Sequence, residues 1–160
     1  MKFEALMIVV KDMEKSRMFY ENLLNQEVQL DLGANVSYEG FSLMEFERWM
    51  DFIEKEEKDF KFLKNNTYEL YFEIDDFDAF IEKLNSYKEF DIEYVHKTKE
   101  FPWGQKVIRF YDPDSHMIEV GESMGSLVKK FIDEGMSEEE VAIRMDIPVE
   151  NIIEIKNNFT

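Results

Sequence analysis

Val10-Lys11-Asp12-Met13-Glu14 and Ile74-Asp75-Asp76-Phe77-Asp78 carry one signal twice: a β-branched residue ends an apolar run, an aspartate that can cap follows two residues later, and an apolar residue with a carboxylate opens a helix. The two copies stand 64 residues apart, and whole units return with them. Before the first copy, Phe3 to Val10 ends in Ile8-Val9-Val10 and reads as a strand. After it, Met18, Phe19, Leu23 and Leu24 recur at helical spacing, which predicts an amphipathic helix over 13–24. From Glu27 onward Val28 and Leu30, then Val36 and Tyr38, then Phe41, Leu43 and Phe46 alternate with polar residues, broken by Gly33-Ala34-Asn35 and by Gly40. That pattern predicts three short antiparallel strands.

The second copy repeats the order. Tyr68 to Ile74 is a strand, Asp76 to Tyr87 a helix with Phe77, Phe80, Ile81 and Leu84 on one face, and strands follow at 91–98, 107–111 and 117–120. Between the copies, 48–66 is a charged linker with some helical periodicity in Met50, Phe52, Ile53 and Phe60; Trp49, Phe52 and Phe60 either pack it down or meet a second subunit. Beyond Ser123 short helices replace strands. Ser137 and Glu140 have capping-box spacing, and Pro148 precedes Val149, Ile152, Ile153 and Ile155. The expected organisation is an α+β domain over 1–122, with module one at about 1–47, the linker at 48–66 and module two at about 67–122, followed by a helical extension over 123–160.

Charge excludes several partners. Asp and Glu total 36 against 19 Lys and Arg, a net charge of −17, which repels a phosphate backbone or an anionic membrane surface. The tail resembles a helix-turn-helix, yet its second helix carries Glu150 and Glu154 against Lys156 and lacks a basic face. No nucleic acid and no membrane is therefore expected as partner. With no cysteine there is no disulfide or thiolate chemistry, and with only Ala5 to Val10 as an N-terminal apolar run a cytoplasmic location is the default expectation. The six glycines form no phosphate-binding cluster.

Two segments resemble a known group. Ile8 to Tyr20 is similar to the opening strand and helix, and Pro102-Trp103-Gly104-Gln105 followed by Phe110 to Glu119 to the closing hairpin, of the vicinal oxygen chelate superfamily: glyoxalase, fosfomycin and bleomycin resistance proteins, and extradiol dioxygenases. The resemblance implies two tandem βαβββ modules forming an open cup-shaped sheet, with metal ligands on the first and last strands of each module. Carried over by position, the first ligand falls on Ala5, which has no donor atom; the second falls on Glu69, where histidine is usual; and the last-strand glutamate falls on Glu119. In module one the last strand offers Glu45, with Leu43 as the competing register.

The resemblance therefore implies a set of Glu45, Glu69 and Glu119, with Glu69 and Glu119 as catalytic ligands or base. Oxygen-only donors suit Mg²⁺, Mn²⁺ or Ca²⁺ better than Zn²⁺, Ni²⁺ or Fe²⁺, and the alternative is no metal at all. Met7, Tyr71, Phe101 and Trp103 are the expected ligand-binding wall, since Tyr71 shares a strand face with Glu69 and Met7 with Ala5. An apolar cup with carboxylates suits a small cationic or flat aromatic ligand. His116 is expected in a turn and His96 near a strand end at the surface. Two functions compete: a metal-assisted lyase, isomerase or dioxygenase with a degenerate metal site, and a non-catalytic drug-sequestering module of the bleomycin-resistance kind. A regulatory partner of another protein is a third. A homodimer is expected with either of the first two.

Overall fold

The computed structural model describes residues 1–64 and 66–158. The chain divides into two compact units, one holding Met1–Asn65 with Asp112–His116 and the other Asn66–Tyr111 with Met117–Thr160. Both contain a four-stranded mixed sheet with helices, and among the described residues neither sheet closes into a barrel.

In the first unit β1 (Leu6–Val10), β2 (Leu30–Asp31), β3 (Asn35–Ser37) and β4 (Phe41–Glu45) take the order β1-β4-β3-β2. β1 runs parallel to β4, and the other pairs are antiparallel. Asp12 caps α1 (Met13–Arg17) by accepting from the Lys15 amide at 3.0 Å. The expected helix over 13–24 is not uniform: at Met18–Leu23 it widens into a π-helical turn that buries Phe19, Tyr20 and Leu23. The expected linker is partly helical, because α2 (Phe46–Ile53) starts immediately after β4.

The hairpin turn Asp112–His116 belongs with this unit. Asp112 Oδ1 accepts from the amides of Asp114 at 2.9 Å and His116 at 2.8 Å, while its Oδ2 accepts from Tyr20 Oη at 2.8 Å. His116 Nδ1 lies 2.8 Å from Asp112 Oδ2, so the imidazole is a turn-closing group. Asp114 Oδ2 accepts from the Lys11 amide at 3.2 Å, yet burial pushes the Asp114 carboxyl above its ordinary value.

In the second unit the order is β5-β8-β7-β6, with β5 (Leu70–Ile74) parallel to β8 (Met117–Glu122), and β7 (Lys106–Tyr111) antiparallel to β8 and to β6 (Tyr94–Glu100). Asp76 caps α3 (Phe77–Ser86) through the Ala79 amide at 2.9 Å, the counterpart of Asp12 one repeat later. Phe77, Phe80 and Leu84 are buried, as are Leu70, Ile108, Phe110, Ile118 and Val120, which share one parity of the sheet. Together these side chains are the unit's core.

The extension is α4 (Met124–Asp133), α5 (Glu138–Met145) and α6 (Val149–Asn158). Ser123 caps α4, and Ser137 with Glu140 forms the expected capping box on α5. Leu127, Val128, Phe131, Val141, Ala142, Met145 and Ile152 make a buried cluster of their own, against which Trp103 packs. Among the described residues no helix is long and apolar enough to cross a membrane.

Candidate functional site

The opposite parity of the second sheet carries polar chemistry. Register pairs Tyr71 with Glu119, Glu119 with Arg109, and Arg109 with His96, so one rung crosses all four strands with its side chains on one face. The irregularities of β6 on both sides of His96 leave that residue opposite Arg109.

Arg109 organises the rung. Its Nε donates to Glu69 Oε2 at 2.8 Å, and its Nη2 donates to Glu69 Oε1 at 3.4 Å and pairs with the buried carboxylate of Glu119. Its Nη1 lies 3.2 Å from His96 Nε2, while His96 Nδ1 lies 2.8 Å from the Lys97 carbonyl. With Nδ1 donating to that carbonyl, Nε2 is the acceptor for Arg109. A planar fork that reaches two carboxylates and an imidazole is something lysine could not supply.

Beside this network stands an aromatic wall. Tyr71, 47% exposed, donates its hydroxyl to Glu73 Oε1 at 2.8 Å and accepts from Gln105 Nε2 at 2.9 Å. Burial of the hydroxyl end, with Glu73 adding to it, pushes the phenol up to about 12, so it remains a donor at neutral pH. Phe101 and Trp103 stack at 4.6 Å with 3° between their planes, and Trp103 Nε1 donates to Gln105 Oε1 at 3.1 Å. The Arg109 guanidinium lies 5.8 Å from the Phe101 ring.

Of the residues expected from sequence, Glu69, Glu119 and Tyr71 come together on this face, and Phe101 joins them through Arg109, Trp103 through Gln105. Glu45 and Met7 belong to the first unit. Met7 pairs with Ser42 and Ser42 with Ser37, the same rung one repeat earlier, so the counterpart of Glu119 is Ser42. Glu45 pairs with Val10, on the face shared by Ile8 and Leu43, and lines a cavity of about 650 Å³ with Lys11, Arg17 and Glu21. Sequence reasoning passed over Arg109 and Gln105; the signal for Arg109 was a lone charge in Val107-Ile108-Arg109-Phe110.

Ala5 offers no ligand atom, and a guanidinium lies between the Glu69 and Glu119 carboxylates where the resemblance expects a cation.

A family model described as a glyoxalase-like domain matches residues 3–125. A solved protein of unknown function from Agrobacterium tumefaciens str. C58 is 33% identical, with a TM-score of 0.68, 78% of this chain covered and 95% of that one. The genomically encoded fosfomycin resistance protein FosX from Listeria monocytogenes is 18% identical (TM-score 0.57; 78% and 94% covered). A glyoxalase/bleomycin resistance protein/dioxygenase from Nocardioides is also 18% identical (TM-score 0.58; 76% and 83% covered). These last two share the fold alone. No curated protein matches.

Proposed function

Since this chain belongs to the glyoxalase-like domain family of the vicinal oxygen chelate superfamily, we propose that it is a binding module that takes a small, flat, cationic molecule on the Tyr71–Trp103 face and needs no metal ion to do so. The carrying observation is Arg109, whose fork pairs with both Glu69 and Glu119. Glu69 and Glu119 share one guanidinium and Glu73 accepts from Tyr71 on the same strand face, so the face is net acidic, and Tyr71 with the Phe101–Trp103 stack offers rings against which a planar cation can lie. Glu69 and Glu119 then act as electrostatic partners of the ligand. A homodimer is the assembly this reading expects, and light scattering reads it directly.

The test pairs a metal titration with a ligand titration. Metal content is measured on the purified protein, followed by thermal shift with Mg²⁺, Mn²⁺, Ca²⁺, Zn²⁺, Ni²⁺ and Fe²⁺, and calorimetry with 1-methylquinolinium as a flat aromatic cation. The expected result is no metal-dependent stabilisation and measurable heat with the quinolinium. A stoichiometric metal whose stabilisation disappears in Glu69→Ala and Glu119→Ala would overturn the proposal in favour of a metal-assisted lyase, isomerase or dioxygenase, the reading favoured by the positions of these two carboxylates.

A further inference from the structure

We infer that Phe131, on the helical extension, is a positioning residue for the ligand face: it seats the Phe101–Gln105 turn, and through that turn it fixes Trp103, Gln105 and Tyr71. This rests on the ligand reading above and extends it to a part of the chain outside the repeat.

The turn between β6 and β7 is closed by the Gly104 amide donating to the Phe101 carbonyl at 2.8 Å and the Phe101 amide donating to the Gln105 carbonyl at 2.9 Å. Gly104 has φ +94°, a conformation that disfavours any side chain. It also has no room for one, because a Cβ there would sit 2.4 Å from Phe131 Cζ and 3.3 Å from Arg144 Nε. The Phe131 ring is 1% exposed and lies against the turn's backbone. Arg144 of α5 covers the ring at 4.4 Å and approaches Glu100, at the end of β6, at 4.0 Å. The turn is thus held from below by α4 and α5.

What rests on it is the wall itself. Gln105, 6% exposed, uses its amide completely: Oε1 accepts from Trp103, and Nε2 donates to Tyr71 Oη at 2.9 Å and to the Glu122 carbonyl at 2.9 Å. Tyr71 in turn lies over Gly121, where a Cβ would come within 3.1 Å of its ring. Each member therefore has one position, set by the next, and the series begins in the tail's buried cluster. A fold cap would need only apolar contact; this contact reaches a spent hydrogen-bond network on an exposed face.

The experiment uses the full chain in a Trp49→Phe background, which leaves Trp103 as the sole tryptophan. Phe131→Ala, Phe131→Leu and Gly104→Ala are compared with Ile143→Ala, whose side chain is 81% exposed. Emission and acrylamide quenching report Trp103, far-ultraviolet circular dichroism reports the helices, and calorimetry reports 1-methylquinolinium. Expected with helix content retained are red-shifted emission, greater quenching, and binding weakened about fivefold, the loss of one cation–π contact, in Phe131→Ala. Phe131→Leu falls between, Gly104→Ala shows the same change driven from the opposite side, and Ile143→Ala shows none. Unchanged Trp103 emission and quenching in Phe131→Ala and Gly104→Ala would overturn the inference. Should Phe131→Ala fail to fold, Phe131→Leu and Gly104→Ala decide it. A wild-type chain that gives no heat with the quinolinium sinks the ligand reading alone, while Trp103 quenching still decides the positioning role.

Discussion

The two modules place equivalent rungs on equivalent strands and fill them with different chemistry. In the first, Met7, Ser42 and Ser37 follow one another across the sheet; in the second, Tyr71, Glu119 and Arg109 do. The backbone repeat survives because it depends on alternation, a capping aspartate and turns, which tolerate any side chain on the open face. The difference teaches that the open face is free to diverge while the core face is not. One module carries an ionic rung with a guanidinium in it; the other has none.

Removing the cation should have the largest effect. Arg109→Ala leaves the Glu69 and Glu119 carboxylates facing each other, with Glu119 buried, and should cost about 3 kcal/mol, a fall in Tm of about 8 °C for a chain of this size. Ser37→Ala, at the equivalent position, should move Tm by less than about 2 °C. Equal losses in a pair of thermal melts would break the contrast.

The converse is to write the ionic rung into module one. Ser42→Glu buries a carboxylate at a position 6% exposed and should destabilise by about 2 kcal/mol. Adding Ser37→Arg should recover about half, as read by denaturant titration of the two singles and the double.

Next is ligand affinity. Tyr71→Ala should weaken 1-methylquinolinium about tenfold, as loss of a ring face and its dispersion contact, whereas Met7→Ala should leave the calorimetric affinity within about twofold. Comparable losses would mean that the ligand face is not confined to the second module.

The smallest effect concerns the hairpin turn, which packs with the first unit. Asp114 has a folded-state pKa above its ordinary value, so the folded chain binds this proton more readily than the unfolded chain does. Its ionised form is a penalty at neutral pH that disappears as pH falls through the raised pKa. Asp114→Asn, which keeps an acceptor for the Lys11 amide, should raise Tm by about 1–2 °C at pH 7 and lose that advantage in acid. An advantage that grows as pH falls would contradict the sign.

Much of this was legible in the residues. The offset between Asp12 and Asp76 fixed the repeat, and both aspartates do cap helices; Ser137 and Glu140 announced their capping box. Glu69 and Tyr71 could be assigned to one face by period-two alternation, whereas Glu119 was placed with them through the resemblance of the closing hairpin. Module one was harder, since Gly33 and Gly40 shorten its strands and left the register open by two residues between Glu45 and Leu43; those two share a face, and Ser42, of the opposite parity, held the position. Arg109 was invisible as a partner because Glu69 stands 40 residues away and the pairings with His96 and Glu119 depend on the register of β6 and β8 against β7. The dependence of Trp103 on Phe131 was equally hidden, for nothing local says what lies beneath a glycine.

A guanidinium joined to the backbone differs from a bound ion in a practical respect. It cannot be stripped by a chelator, exchanged for a competing metal or lost when metals are scarce, and it arrives at the site in one-to-one ratio with every folded chain. On the proposed reading, this sheet face responds to the abundance of its ligand and of the protein itself, and is indifferent to the metal supply of its surroundings.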